Sequence, residues 1–406
     1  MAKSIEGRSK NGLRYYILPQ GIFEEKMAAV LVKRGANALD WEDAQGRRLS
    51  FPQGTAHFIE HKLFQQKWGD AFLRLTQNGA SANAFTDAEK TVYYFSCRKG
   101  FAENLRILLD FVQHPYFTEQ DTEQEKDIIL SEITMYEDDP DWKAYFQMLE
   151  GMYAAHPVKN QIAGTAQSVR EITAETLQRA YETYYTTDSM ALICTGNVPV
   201  REVLRMIGTV KGRESAFRPI PPTEPAEIQE KYREKQMGLR IPCFQIGWKL
   251  PPEQEQSRRR RILMGMLTEL LAGESSDLFQ RAYEQGWLDE PLGGVYLNGS
   301  GYAFAAFSGR GEQPEEVAEG LCAQIERMQR EGIAEEDFRR ICRKMLGRFL
   351  RRLDSVEALC MGQIEWAMTD TPLHEVLRLI KELRREDAEE ALRLFSRERM
   401  VLSVVR

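Results

Sequence analysis

The chain has 406 residues, 43% of them hydrophobic and 28% charged, which is the profile of a globular protein of about two to three domains. Its formal net charge of -7 argues against a nucleic-acid partner, because phosphate binding needs a net basic face. No run of about eighteen apolar residues offers a membrane span, and Met1 to Arg8 lack the apolar stretch of a secretion signal. The cysteines at 97, 194, 243, 322, 342 and 360 form no Cys-x-x-Cys pair, so they read as reduced, mostly buried thiols of a cytoplasmic protein.

In chain order, Met27 to Val32 reads as a strand ahead of a helix around His57. Val92 to Ser96 is a short strand rich in β-formers, and Phe101 to Val112 has helical spacing. A helical segment follows from Glu125 to Pro140, with Ile128, Ile129 and Ile133 as its expected buried stripe. Thr173 to Thr176 opens a helix through Tyr185, and an apolar strand follows at Met190 to Thr195. Arg218 to Pro225 holds four prolines, which remove backbone donors and favour extended linker chain. Beyond it come a strand at Phe244 to Leu250, a helix at Ile262 to Leu271 and a strand at Tyr302 to Phe307. Helical spacing returns at Glu315 to Met328, Ala334 to Leu350 and Val356 to Met368. A helix opened by Arg385 to Ala388 then leads into a last apolar strand, Met400 to Val405.

Each half therefore has a strand before an apolar helix near its start and a helix before an apolar strand at its end, as a duplicated unit would. The expected fold class is α+β: two homologous α/β domains with mostly antiparallel sheets and helices on one face. The expected boundaries are 1–217, a Pro-rich linker at 218–228, and 229–406.

The most informative segment is His57-Phe58-Ile59-Glu60-His61. On a helix, His57 and His61 lie at i and i+4 on one face and can aim two imidazoles at one ion. Glu60 falls at the edge of the same site, where a carboxylate can act as general base toward a metal-activated water. The spacing is that of the inverted zinc-peptidase motif. Two histidines leave a catalytic zinc one protein ligand short. Glu125 and Glu132, seven apart on one side of a helix, are the candidates: one to bind metal, the other to support from behind.

Three segments together resemble the M16 zinc peptidases (insulinase, pitrilysin and mitochondrial processing peptidase). They are His57 to Phe64, Gly79 to Thr86, and the helix from Glu125 to Glu132, in the family's order and approximate spacing. The resemblance covers essentially the whole chain and is nearest to the bacterial subfamily of about four hundred residues. Members of that subfamily carry names linking them to elongation factor P aminopentanol modification. The resemblance implies a Zn2+ cofactor held by His57, His61 and Glu132, with Glu60 as catalytic base and Glu125 behind a ligand. It also implies that Ser81, Ala82, Asn83, Ala84 and Phe85 form an edge strand on which an extended peptide substrate is laid, with the Asn83 amide touching its backbone.

One family feature is absent. The family places an Arg and a Tyr, seven residues apart, in the half without metal, and here Tyr283 and Glu290 occupy those positions. The second half also lacks the His-x-x-Glu-His motif. The chain thus resembles half of a clamshell, and the expected partner is a second copy or a related M16 chain that supplies Arg and Tyr. The alternative is a catalytically incomplete subunit that serves as a peptide-binding or structural partner. Three features read as structural: the basic run Arg258 to Arg261 as a solvated turn or partner-facing patch, His114, His156 and His374 beside turns, and the Gly293-Gly294 and Gly299-Ser300-Gly301 segments as loose hairpin turns.

Overall fold

The computed structural model describes residues 4–252 and 258–406; Met1 to Lys3, where the chain was read for a secretion signal, lie outside the described residues. The chain divides into two compact units. One comprises the residues up to Ile133 with Gln161–Ile220 and Leu350–Val376; the other comprises Thr134–Asn160, Pro221–Phe349 and Leu377–Arg406. The division departs from a single cut at the prolines in two places. Thr134–Asn160 belongs with the later half of the chain, and Leu350–Val376 with the earlier half.

The first unit is built on a six-stranded sheet. Its order is Ile5–Arg8, Arg14–Pro19, Met190–Gly196, Lys26–Val32, Thr91–Cys97 and Ala80–Thr86. All neighbours are antiparallel except Arg14–Pro19 beside Met190–Gly196. Every residue of Met190–Gly196 is buried, and successive side chains point to opposite faces, so both faces of this central strand are covered. Leu192 and Cys194 join the main core. From the other face, Thr195 Oγ1 donates to Val356 O at the start of the helix Val356–Ala367 (3.0 Å).

The second unit repeats five of these strands in the same topology: Tyr232–Lys235, Met400–Val405, Cys243–Leu250, Tyr302–Arg310 and Gly293–Gly299. Tyr232–Lys235 runs parallel to Met400–Val405, as Arg14–Pro19 does to Met190–Gly196, and every other pair is antiparallel. The fold is therefore a duplicated α/β unit with antiparallel-rich sheets. Gly299↔Tyr302 closes a two-residue hairpin through Ser300-Gly301, as expected, whereas Gly293-Gly294 belong to a strand and form no turn.

Two further expectations are revised. The proline-rich segment is tied down: Phe217–Pro219 pairs with the strand Asp40–Asp43 in the first unit. In the second unit the Glu224 carboxylate accepts from the backbone N–H groups of Ala154, Ala155 and His156 and from Lys249 Nζ (2.6–2.9 Å). The basic run opens the helix Arg258–Ala272, where Arg259 binds Asp387 and Arg260 Nη2 donates to Pro251 O (3.0 Å), so it is held within its unit and forms no solvated turn. Among the described residues no helix is long and apolar enough to cross a membrane.

Candidate metal centre

Two helices of the first unit carry the site. Thr55–Leu63 starts at Gly54, whose φ of 88° and close approach to Ala163 O leave no room for a side chain. Phe58, Ile59 and Leu63 are fully buried in the main core and fix the rotation of the helix; each such side chain contributes about 1.5–3 kcal/mol. His57 and His61 are left on the adjoining face, with ring centroids 4.6 Å apart. The second helix, Glu119–Glu137, is anchored by Ile129 and Ile133 in the same core. Ile128, expected in that stripe, is 57% exposed. Neighbouring helical residues diverge by about 100°, so Ile128 and Ile129 cannot both face the core.

Packing these helices brings His57, His61 and Glu132 together, with one ligand atom from each lying within 4.8 Å of the others. His57 Nε2 is 3.6 Å from Glu132 Oε1, and His61 Nε2 is 3.6 Å from Glu132 Oε2. These spacings are too long for hydrogen bonds. They are close to the separation of about 3.3 Å that ligand atoms have around a tetrahedral ion with bonds of about 2.0–2.1 Å. Two neutral imidazoles and a carboxylate are also the donor chemistry zinc takes, so the three residues fit it.

Glu125 lies behind His61. Its Oε1 is 3.0 Å from His61 Nδ1, an arrangement that makes Nδ1 the protonated nitrogen and leaves the Nε2 lone pair toward Glu132. Burial alone would lower the basicity of His61, but the Glu125 hydrogen bond and the carboxylates of Glu60, Glu125 and Glu132 raise its pKa above the ordinary value. His57 is pushed down to about 4, chiefly by burial and then by the neighbouring His61, so it is neutral and ready to coordinate. Its Nδ1 is buried with no hydrogen-bond partner among the described residues.

Glu60 lies outside this group of three. Its Oε2 accepts a hydrogen bond from Thr86 Oγ1 at 3.1 Å. Burial raises its pKa, which His61 and the Thr86 hydroxyl partly offset. Thr86 ends Ala80–Thr86, an edge strand that among the described residues pairs on one side only, with Thr91–Cys97. Of the five residues predicted to receive substrate, Ser81 and Asn83 are exposed, Ala84 and Phe85 half-buried, and Ala82 buried. Asn83 Oδ1 accepts from the N–H of Ala84 at 2.8 Å, so that oxygen is engaged within its own strand. Thr86 and Lys62, which reaches Glu125, were given no role from sequence, because only the tertiary contacts reveal one.

In the second unit, the helix equivalent to Thr55–Leu63 carries Glu269, which pairs with Lys344 and Arg348. Tyr283 is 60% exposed on the helix Asp277–Glu284. His156 is buried as a structural residue, with Nδ1 accepting from Val158 N–H (3.0 Å) and Nε2 bonded to Ser300 O (2.9 Å).

Comparison with known proteins bears on this geometry. The profile of the insulinase family (peptidase family M16) matches residues 51–166, and that of the peptidase M16 inactive domain matches residues 171–345. A Bacillus subtilis (strain 168) chain named "uncharacterized zinc protease YmfH" is 33% identical over 395 residues, spanning 95% of this chain and 92% of its own length. A crystal structure from Alicyclobacillus acidocaldarius, named as an M16-like peptidase, superposes with a TM-score of 0.95 at 29% identity, covering 99% of this chain and 98% of that one. Pitrilysin shares the fold with a TM-score of 0.78 at 17% identity; 99% of this chain covers 44% of it.

Proposed function

Since the chain belongs to the M16 family of insulinase-like peptidases, we propose that it is a zinc-dependent endopeptidase acting on unfolded peptides within a clamshell chamber. The observation that carries this reading is the convergence of His57, His61 and Glu132 beside Glu60, a carboxylate that accepts from Thr86. When bound, zinc supplies a polarised scissile carbonyl and an acidified water. His57 and His61 would hold it through unprotonated Nε2 atoms, the second oriented by Glu125. Glu60 accepts a proton from the attacking water and returns it to the leaving amine nitrogen. Its raised pKa suits both transfers, because the protonated acid persists long enough to serve the leaving group.

An extended peptide would add to the free edge of Ala80–Thr86. This mode takes affinity from the backbone and tolerates varied sequences. The strand ends at Thr86, against Glu60, so a peptide running along it would arrive at the base. Tyr283 and Glu290 stand where the family's Arg and Tyr are expected, so we propose that a second M16 chain contributes those groups. The six cysteines are all free, which supports a reducing cytoplasmic setting.

The test is cleavage of internally quenched peptides by the chain alone, by co-expressed M16 partners, and by Glu60→Gln in each setting. Chelator-sensitive cleavage that Glu60→Gln abolishes is expected, with native mass spectrometry showing the paired species. Cleavage that persists undiminished in Glu60→Gln would refute the assigned base.

A further inference from the structure

Lys62 follows the second histidine of the motif and is 1% exposed, among the most completely buried large side chains in the protein. Burying an ammonium costs several kcal/mol unless it is paired and hydrogen-bonded. An apolar residue would fill the same space without that cost, as Phe58, Ile59 and Leu63 do on this helix. The contacts made by Nζ account for its presence. It donates to Gln65 Oε1 (2.5 Å), just past the end of its own helix, and to Asp121 O (3.3 Å), in the first turn of the helix that carries Glu132. It pairs with Glu125 Oε2 at 3.5 Å. Three acceptors thus meet the three ammonium protons.

The two oxygens of Glu125 are therefore divided, Oε1 to His61 Nδ1 and Oε2 to Lys62. From this arrangement we infer that Lys62 is a positioning residue for the metal centre. It holds Glu125, on the helix bearing Glu132, in the pose that fixes the tautomer and ring orientation of His61. Its effect on the site passes through Glu125. The inference rests on the zinc reading above.

Zinc affinity, measured by chelator competition without any peptide, tests it. The proteins compared are wild type, Lys62→Met, Lys62→Arg, Glu125→Gln, and the Lys62→Met/Glu125→Gln double variant. Supporting residues behind metal ligands typically contribute 10- to 100-fold in affinity, so Lys62→Met is expected to weaken zinc by about tenfold. Lys62→Arg should recover part of that loss. The double variant should bind zinc no more weakly than Glu125→Gln alone, because the two residues act in series. A folded Lys62→Met that holds zinc as tightly as wild type would overturn the inference, and so would losses that multiply in the double variant. If Lys62→Met does not fold, Lys62→Gln carries the same comparison, with wild-type affinity again overturning it. Wild type that binds no zinc would sink the metal reading itself. Wild type that binds zinc while the Lys62 variants are indifferent would sink only the role given to Lys62.

Discussion

The contact between Thr86 and Glu60 offers a single-atom test of how the base is tuned. Burial works against ionisation of Glu60, while His61 and the Thr86 hydroxyl work for it. Thr86→Val removes the hydroxyl and keeps a β-branched side chain of similar size on the strand. A hydrogen bond to a charged group is worth about 1.5–3 kcal/mol. At 1.36 kcal/mol per tenfold, that amounts to roughly 10- to 160-fold in the balance between ionised and protonated Glu60. The base is needed ionised, so the acid limb of the kcat/KM profile should move to higher pH. At mildly acidic pH the rate should fall by about that factor, and the loss should shrink as pH rises. Thr86→Ser should stay near wild type. The assay is a pH series with a quenched peptide on zinc-loaded protein, with zinc content checked for each variant. An acid limb that does not move in a folded, zinc-replete Thr86→Val would refute the argument that this hydroxyl stabilises the carboxylate.

Zinc affinity should depend on pH through both histidines. The pKa of His61 is raised and that of His57 lowered to about 4, and zinc needs each imidazole neutral. Affinity should therefore fall about tenfold per pH unit once pH drops through the titration of His61, above the ordinary value of about 6.5, and steepen again near pH 4. Chelator competition across pH reads both breaks; a flat profile between pH 7 and 5 would contradict the raised His61. In the second unit, Lys249→Met should cost about 3–5 kcal/mol in chemical denaturation, because it leaves the Glu224 carboxylate buried without its cation. A loss below about 1 kcal/mol would show that the three backbone donors to Glu224 suffice. Peptides N-methylated at alternate positions should lose kcat/KM by about tenfold where the amide faces Ala80–Thr86 and little elsewhere. Equal tolerance at every position would exclude strand addition.

Much of this was legible in the sequence because it is local. The strands Met190–Gly196 and Met400–Val405 are short, continuous apolar runs that end each half, and a fully buried strand has that pattern. The spacing of His57, Glu60 and His61 needs only one helix to acquire meaning, and Glu132 needs only a second. What could not be read depends on contacts between distant segments. The exchange of Thr134–Asn160 and Leu350–Val376 between the units has no local signature. The exposure of Ile128 was hidden by two isoleucines in succession, either of which satisfied helical spacing. The proline-rich segment is compositionally a linker, yet Glu224 within it meets partners dozens of residues away in either direction. The work of Thr86 and Lys62 appears only when strand and helices are packed against the motif.

A zinc ion held by His57, His61 and Glu132 underlies both the proposed catalysis and the role given to Lys62. Zinc-edge X-ray absorption on the purified chain, with metal content measured on the same sample, tests it most directly. The expected result is about one zinc per chain with two imidazole nitrogens and carboxylate oxygen at about 2.0–2.2 Å, retained in Glu60→Gln and lost in Glu132→Gln. A wild-type chain that takes up no zinc, or one whose zinc environment is unchanged in Glu132→Gln, would contradict it.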